Sequence, residues 1–137
     1  MGLRRISREI VLQALYALEF SAGMPEDVLN YLYSENNIPS ETRIFIEDLL
    51  RQVIQNQQYL DSLISKKALN WNLKRVALLD KLIIRIALAE IYYMDNIPSN
   101  VSINEAIELA KKYSTEQSSR FVNGILDAVS KDGVPVK

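Results

Sequence analysis

Apolar side chains recur at three- and four-residue spacing through almost the whole of this chain, and the residues that break helices fall in short stretches between those runs. Val11, Ala14, Leu15 and Leu18 set one such stripe, and Ile46, Leu49, Leu50, Val53, Leu60 and Ile64 set another. No segment alternates in the way a half-buried strand does. Only four glycines and four prolines interrupt the pattern. Together these features restrict the chain to an all-α fold.

The punctuation divides the helices. The spacing predicts a first helix over about 7–22, closed by Gly23 and Pro25, and a short second one over about 26–35. Ser40 is placed to cap a long third helix reaching about residue 65. Residues 66–74 read as a junction, where Trp71 is expected to pack between helical layers rather than to hold a ligand. A helix over about 79–94 is apolar almost all round and so is expected at the centre. Its charges share no single solvated face, so Asp80 and Arg85 are expected to pair elsewhere in the protein or with a partner. Ser102-Ile103-Asn104-Glu105 has the form of a capping box, with Val101 in the staple position, and opens a helix running to Tyr113. The last helix begins between Glu116 and Ser118, turns Phe121, Val122, Ile125, Leu126 and Val129 inward, and ends near Asp132-Gly133.

A length of 137 residues suits one domain, with an N-terminal helical half over about 1–65 and a C-terminal half over about 66–137. The chain has no cysteine and no histidine. Disulfides, thiol nucleophiles, thiolate metal sites and every catalytic arrangement built on imidazole are thereby excluded. Glycines at 2, 23, 124 and 133 are too dispersed for a phosphate loop or a dinucleotide loop. Glu47-Asp48 and Glu108 read as solvated helix faces, and Glu105 as part of its cap. The expectation is a protein without catalytic residues, metal or cofactor. Glu9, Gln13 and Glu19 interrupt any signal-peptide core, and Asp80, Lys81, Arg85 and Glu90 break the most apolar stretch, so a cytoplasmic protein with no membrane contact is expected.

Net charge is −1, but its distribution is uneven. Residues 1–24 hold three bases against two acids, residues 25–65 hold two against seven, and residues 66–137 hold eleven against eight. An acidic middle therefore lies between two basic flanks. Arg4, Arg5 and Arg8 sit at the start of a helix, where the macrodipole disfavours cations by about 0.3–1 kcal/mol each. A cluster so placed forms either a phosphate site, using free backbone N–H groups and guanidinium forks, or a basic tail of no consequence. Lys111, Lys112 and Arg120 form a second group, interleaved with Tyr113, Gln117, Ser118, Phe121 and Asn123. Cations among rings and short polar side chains suit single-stranded RNA, whose bases stack while its phosphates are neutralised. The dipole at a helix C-terminus and the core stripe account for some of the same residues. Gly124, inside a helical pattern, points either to close helix approach or to backbone left open to a ligand.

In order along the chain, Arg4-Arg5-x-x-Arg8-Glu9 with Gln13-Ala14-Leu15-Tyr16, Asp80-Lys81 with Ile84-Arg85-Ile86-Ala87-Leu88-x-Glu90, Ile97-Pro98, the run from Ile103 to Lys111, and Phe121-Val122-Asn123-Gly124-Ile125-Leu126-Asp127 resemble the NusB family of bacterial transcription antitermination factors. The resemblance implies a fold of two small helical bundles with six or seven helices. It also implies a role without catalysis: binding the boxA element of nascent ribosomal RNA leaders together with ribosomal protein NusE, so that RNA polymerase in its antitermination complex reads through terminators. Carried over by position, Arg4, Arg5, Arg8, Lys111, Lys112, Tyr113, Gln117, Ser118, Arg120, Phe121 and Asn123 would face RNA, and Tyr16 and Asp80 would face NusE. The family often has arginine where Ile6 stands and glycine where Ser114 stands.

Two other readings stay open at this stage. NusB-like domains also precede the catalytic domain of ribosomal RNA cytosine methyltransferases, and a helical module could hold a protein partner through Tyr16 and Asp80 without touching RNA. The sequence does not decide between a monomer and a homodimer.

Overall fold

The computed structural model of the protein describes residues 3–68 and 76–133. Among these residues there are seven helices and no strand: α1 (Leu3–Phe20), α2 (Pro25–Asn36), α3 (Ser40–Gln55), α4 (Gln57–Lys67), α5 (Leu78–Tyr93), α6 (Ser99–Tyr113) and α7 (Glu116–Lys131). None is long and apolar enough to cross a membrane. Trp71 and most of the expected junction lie outside the described residues.

Helix α1 buries Ile10, Val11, Leu12, Ala14 and Leu15 on one side, and α2 and α3 both pack against it. Its first turn begins before the arginine cluster, so these cations belong to the helix rather than to a tail ahead of it. Pro25 opens α2 at its first position, where no N–H is missed, and Glu26 and Asp27 complement the dipole there. Asn37, at φ 52°, closes α2 in the left-handed conformation.

The long third helix expected from the sequence is two helices. Asn56 leaves helical geometry at φ −111°, and its side-chain amide donates to the Gln52 carbonyl at 2.8 Å and to Gln52 Oε1 at 3.2 Å. An asparagine that bonds locally in this way competes with the helical ladder. Leu60 and Ile64 remain fully buried beyond the break, so the apolar phase persists while the axis does not. Ser40 also differs from expectation: it is the first helical residue, and Pro39 holds the cap position without a side-chain bond.

Helix α5 is central. From Leu82 to Ile91 every residue is buried, and the helix packs on α1, α3, α4, α6 and α7. The apolar residues of all seven helices form one continuous cluster, each large side chain contributing about 1.5–3 kcal/mol by leaving water. Helices α6 and α7 form an antiparallel pair; Thr115 caps α7 by accepting from the Ser118 N–H at 2.9 Å.

The capping box expected at Ser102 is overturned. Pro98 is the cap and α6 begins at Ser99, three residues ahead of Ser102; Val101 is exposed, and Ser102 lies buried within the helix. The Ser102 hydroxyl donates instead to Glu90 at 2.8 Å, and Glu105 is engaged by Arg5. The pattern Ser-x-x-Glu here reflects contacts across the core rather than a helix start.

Candidate nucleic-acid interface

The N-terminal turns of α1 face α6 across a groove and adjoin α5 and α3, and each of the three arginines takes a different one of these neighbours. Arg8 points inward. Its Nε and Nη2 bond the two carboxylate oxygens of Glu90 at 2.6 and 2.8 Å, and Nη1 lies 3.5 Å from Glu105. With Arg8 4% and Glu90 1% exposed, this is a buried ion pair completed by Ser102. The structure thus places Arg8 beneath the surface expected to meet RNA.

Arg5 is half-exposed and pairs with Glu105 through Nε at 3.0 Å and Nη2 at 2.6 Å. The guanidinium bonded to it holds the Glu105 carboxyl below its ordinary range, and the same contact raises Arg5. Arg4 is exposed, with its guanidinium carbon 4.0 Å from the centroid of the Phe45 ring, a stacked arrangement that fixes the cation without neutralising it.

Between α1 and α6 runs a groove of about 830 Å³ whose walls include Arg5 and Glu9 on one side and Glu105, Glu108, Lys111 and Lys112 on the other. Leu3 and Ile6 form its exposed apolar edge. Arg5 of the first basic group and Lys111 and Lys112 of the second, about a hundred residues apart in sequence, therefore border one groove. Lys112 reaches across it to Glu9 at 2.8 Å, which raises the lysine, and Tyr113 donates to the same oxygen at 2.7 Å while accepting from Gln13 at 3.3 Å. Burial and the Glu9 contact raise the Tyr113 phenol, keeping it a neutral donor. Three carboxylates balance the three cations lining the groove, so its attraction for an anion is modest. Lys111 is exposed and belongs to none of these pairs.

The remaining predicted residues lie at the start of α7 and around the start of α5. Arg120 and Asn123 are exposed on α7. Gly124 is exposed beside them, and a Cβ built there meets nothing within 4 Å, which removes the close-helix explanation and leaves its backbone open. Asp80, Gln117, Ser118 and Phe121 line one small cavity of about 150 Å³. Asp80 is buried there and its Oδ1 has no hydrogen-bond partner among the described residues. The neighbouring Leu79 lines a cavity of about 290 Å³ with Tyr16, Gln13 and Tyr113. The residues expected to meet a protein partner thus adjoin those expected to meet RNA. Tyr16 is 44% exposed and packs against Phe20, whose ring centroid is 5.0 Å away.

Sequence reasoning missed the Arg8–Glu90–Ser102 network, although a glutamate in an otherwise buried helix is a signal that a cation must reach it. Arg85, suspected for the same reason, is bonded to Asp61 through two contacts of 2.7 and 2.9 Å. Among the described residues no three acidic side chains are grouped so as to hold a metal ion.

The NusB family model matches residues 5–131. Transcription antitermination protein NusB of Geobacter sulfurreducens is 41% identical over 131 residues, covering 95% of each chain. That of Chloroherpeton thalassium is 48% identical over 126 residues, 91% of this chain, which spans 60% of that longer relative. Among solved structures, T. maritima NusB superposes with a TM-score of 0.88 at 35% identity over 96% of this chain and 93% of its own. A crystal structure of antitermination factors NusB and NusE in complex with dsRNA shares the fold, with a TM-score of 0.86 and 22% identity, covering 96% of this chain and 98% of that one. With a family match across nearly the whole chain and relatives of this identity at full coverage, the protein belongs to the NusB family.

Proposed function

We propose that this protein is a transcription antitermination factor that binds the boxA element of nascent ribosomal RNA together with NusE and promotes read-through by RNA polymerase. The observation that carries the reading is the α1–α6 groove, where Arg5 from one end of the sequence and Lys111 and Lys112 from the other border a single surface, with Arg4 exposed on the same first turns of α1. Tyr113, Gln117, Ser118, Arg120, Phe121 and Asn123 extend that surface toward α7 with rings and hydrogen-bonding groups suited to unpaired bases. Tyr16 and the Asp80 cavity provide the adjoining face for NusE. The antitermination function of the relatives, and the association of a NusB of this fold with NusE and RNA, support the assignment. Arg8 acts in it through the fold, by anchoring α1 to α5.

Because the groove holds as many carboxylates as cations, binding by the protein alone is weak, and a second protein supplies the affinity. The test is a titration of boxA-containing single-stranded RNA with and without NusE at two salt concentrations, with a duplex of the same sequence as control. Expected are weak binding alone, tighter binding with NusE, a fall in affinity with salt, and preference for the single strand. RNA affinity that does not respond to NusE would sink the proposal, as would insensitivity to salt.

A further inference from the structure

Helices α2 and α3 both pack on α1 and meet each other through Tyr33, which donates to Glu47 and stacks under Arg43. The gap between them is a groove of about 660 Å³, and none of its lining residues lines the α1–α6 groove or the cavities at Tyr16 and Asp80. Leu29 and Leu50 line it as buried groups, while Met24, at 62% exposed, and Ile54, at 40%, leave apolar surface in water at its rim. Flanking this apolar strip are Glu26, Glu47 and Arg51, the last paired with Asp48 on its own helix. Glu26 has no ion-pair or hydrogen-bond partner among the described residues, and Glu47 only accepts from the neutral Tyr33 phenol at 2.8 Å.

The two helices that wall the groove carry an excess of acid, with Arg43 and Arg51 their only bases. Helix α2 carries Glu26, Asp27 and Glu35 and no base, and no lysine occurs before Lys66. The two arginines of α3 are already engaged: Arg51 pairs with Asp48, and Arg43 donates to the Ile38 carbonyl and stacks 4.5 Å from the Tyr33 ring centroid. Acids in the first turn of α2 serve its dipole, but Glu47 lies in the middle of α3, where the dipole asks for no charge.

We infer that the α2–α3 groove is a docking site for an amphipathic helix of a second protein, one that presents an apolar stripe to Met24, Leu29, Leu50 and Ile54 and flanks it with lysine or arginine for Glu26 and Glu47. An apolar strip with acidic edges is the complement of such a helix, and helix-in-groove binding takes the exposed methionine and isoleucine of the rim out of water. A second copy of this chain does not fit, because two acidic grooves would face each other. The site is independent of RNA, so the same molecule can hold RNA on the α1–α6 side and a basic protein here.

The experiment follows amide signals of the full-length protein while titrating a synthetic amphipathic leucine–lysine helix, with the leucine–glutamate helix as control. The lysine peptide is expected to bind saturably, with shifts centred on Met24, Glu26, Leu29, Glu47, Leu50 and Ile54. Glu26→Gln with Glu47→Gln should weaken it about fivefold, the scale of two partly exposed ion pairs. Ile54→Glu, a change at an exposed position, should abolish it while the melting temperature stays within a few degrees of wild type (about 2–4 °C). Equal binding of both peptides, shifts centred elsewhere, or a peptide-free dimer closing through this face by sedimentation would each overturn the inference.

Discussion

The guanidinium of Arg8 and the carboxylate of Glu90 form a two-point ion pair in the core, joining α1 to the central helix across 82 residues of sequence. Removing one partner leaves the other charge buried without compensation, which costs about 3–5 kcal/mol. Arg8→Ala and Glu90→Ala are therefore expected to lower stability to urea by that amount each, whereas Arg8→Met combined with Glu90→Leu recovers most of it. Chemical denaturation of the four proteins checks this. RNA affinity lost in Arg8→Ala is then a consequence of disturbed packing and should return in the double variant.

Arg4 and Lys111 are exposed cations that the described ion pairs leave available. Under the proposed function each neutralises about one phosphate, so replacing either by alanine should weaken RNA binding while reducing the slope of log affinity against log salt by about one. Stability should hardly move, within about 0.5 kcal/mol. A salt titration of the two variants beside wild type reads the slope directly, and an unchanged slope removes that residue from the interface.

The positions of these side chains show which parts of the molecule were legible in sequence. The stripe of α1 and the all-round apolarity of α5 announced buried helices because burial imposes the helical period on local sequence. Arg8 was not legible as a core residue, since its partner is distant and its neighbours Arg4 and Arg5 are basic too. The same limit applies to Ser102, whose spacing to Glu105 matches a cap although both answer to groups on other helices. The break at Asn56 escaped because a change of axis need not disturb the apolar phase on either side. That Arg5 meets Lys111 and Lys112 at one groove follows from α1 lying opposite α6, a relation that no local pattern encodes.

Glu105 makes the acid response of this region specific. Its carboxyl is held below its ordinary value of 4.5 by Arg5, with Arg8 adding to the effect. A depressed acid contributes stability that is present above the unfolded value and is lost as pH falls through the folded one. The stability difference between wild type and Glu105→Gln should therefore be constant above about pH 5 and shrink progressively below the usual carboxylate range. Arg5 is 40% exposed, so the effect is modest in size, and thermal melts of both proteins across that range are the measurement. At neutral pH the same substitution loosens Arg5 and removes one negative charge from the groove, so RNA should bind Glu105→Gln more tightly than wild type.

Gly124 allows stability and binding to be separated at one position. In the middle of a helix glycine is worse than alanine by about 1 kcal/mol, and here a methyl group enters open space. Gly124→Ala should accordingly raise the melting temperature by about 4 °C, the shift that 1 kcal/mol produces in a domain of this size. Exposed beside Arg120 and Asn123, the bare backbone also lets a ligand approach α7 closely, and a methyl there holds it off. The variant is thus expected to be more stable and to bind RNA with NusE less tightly. If both stability and affinity rise, or affinity is untouched, Gly124 makes no contact and its presence has no role in binding.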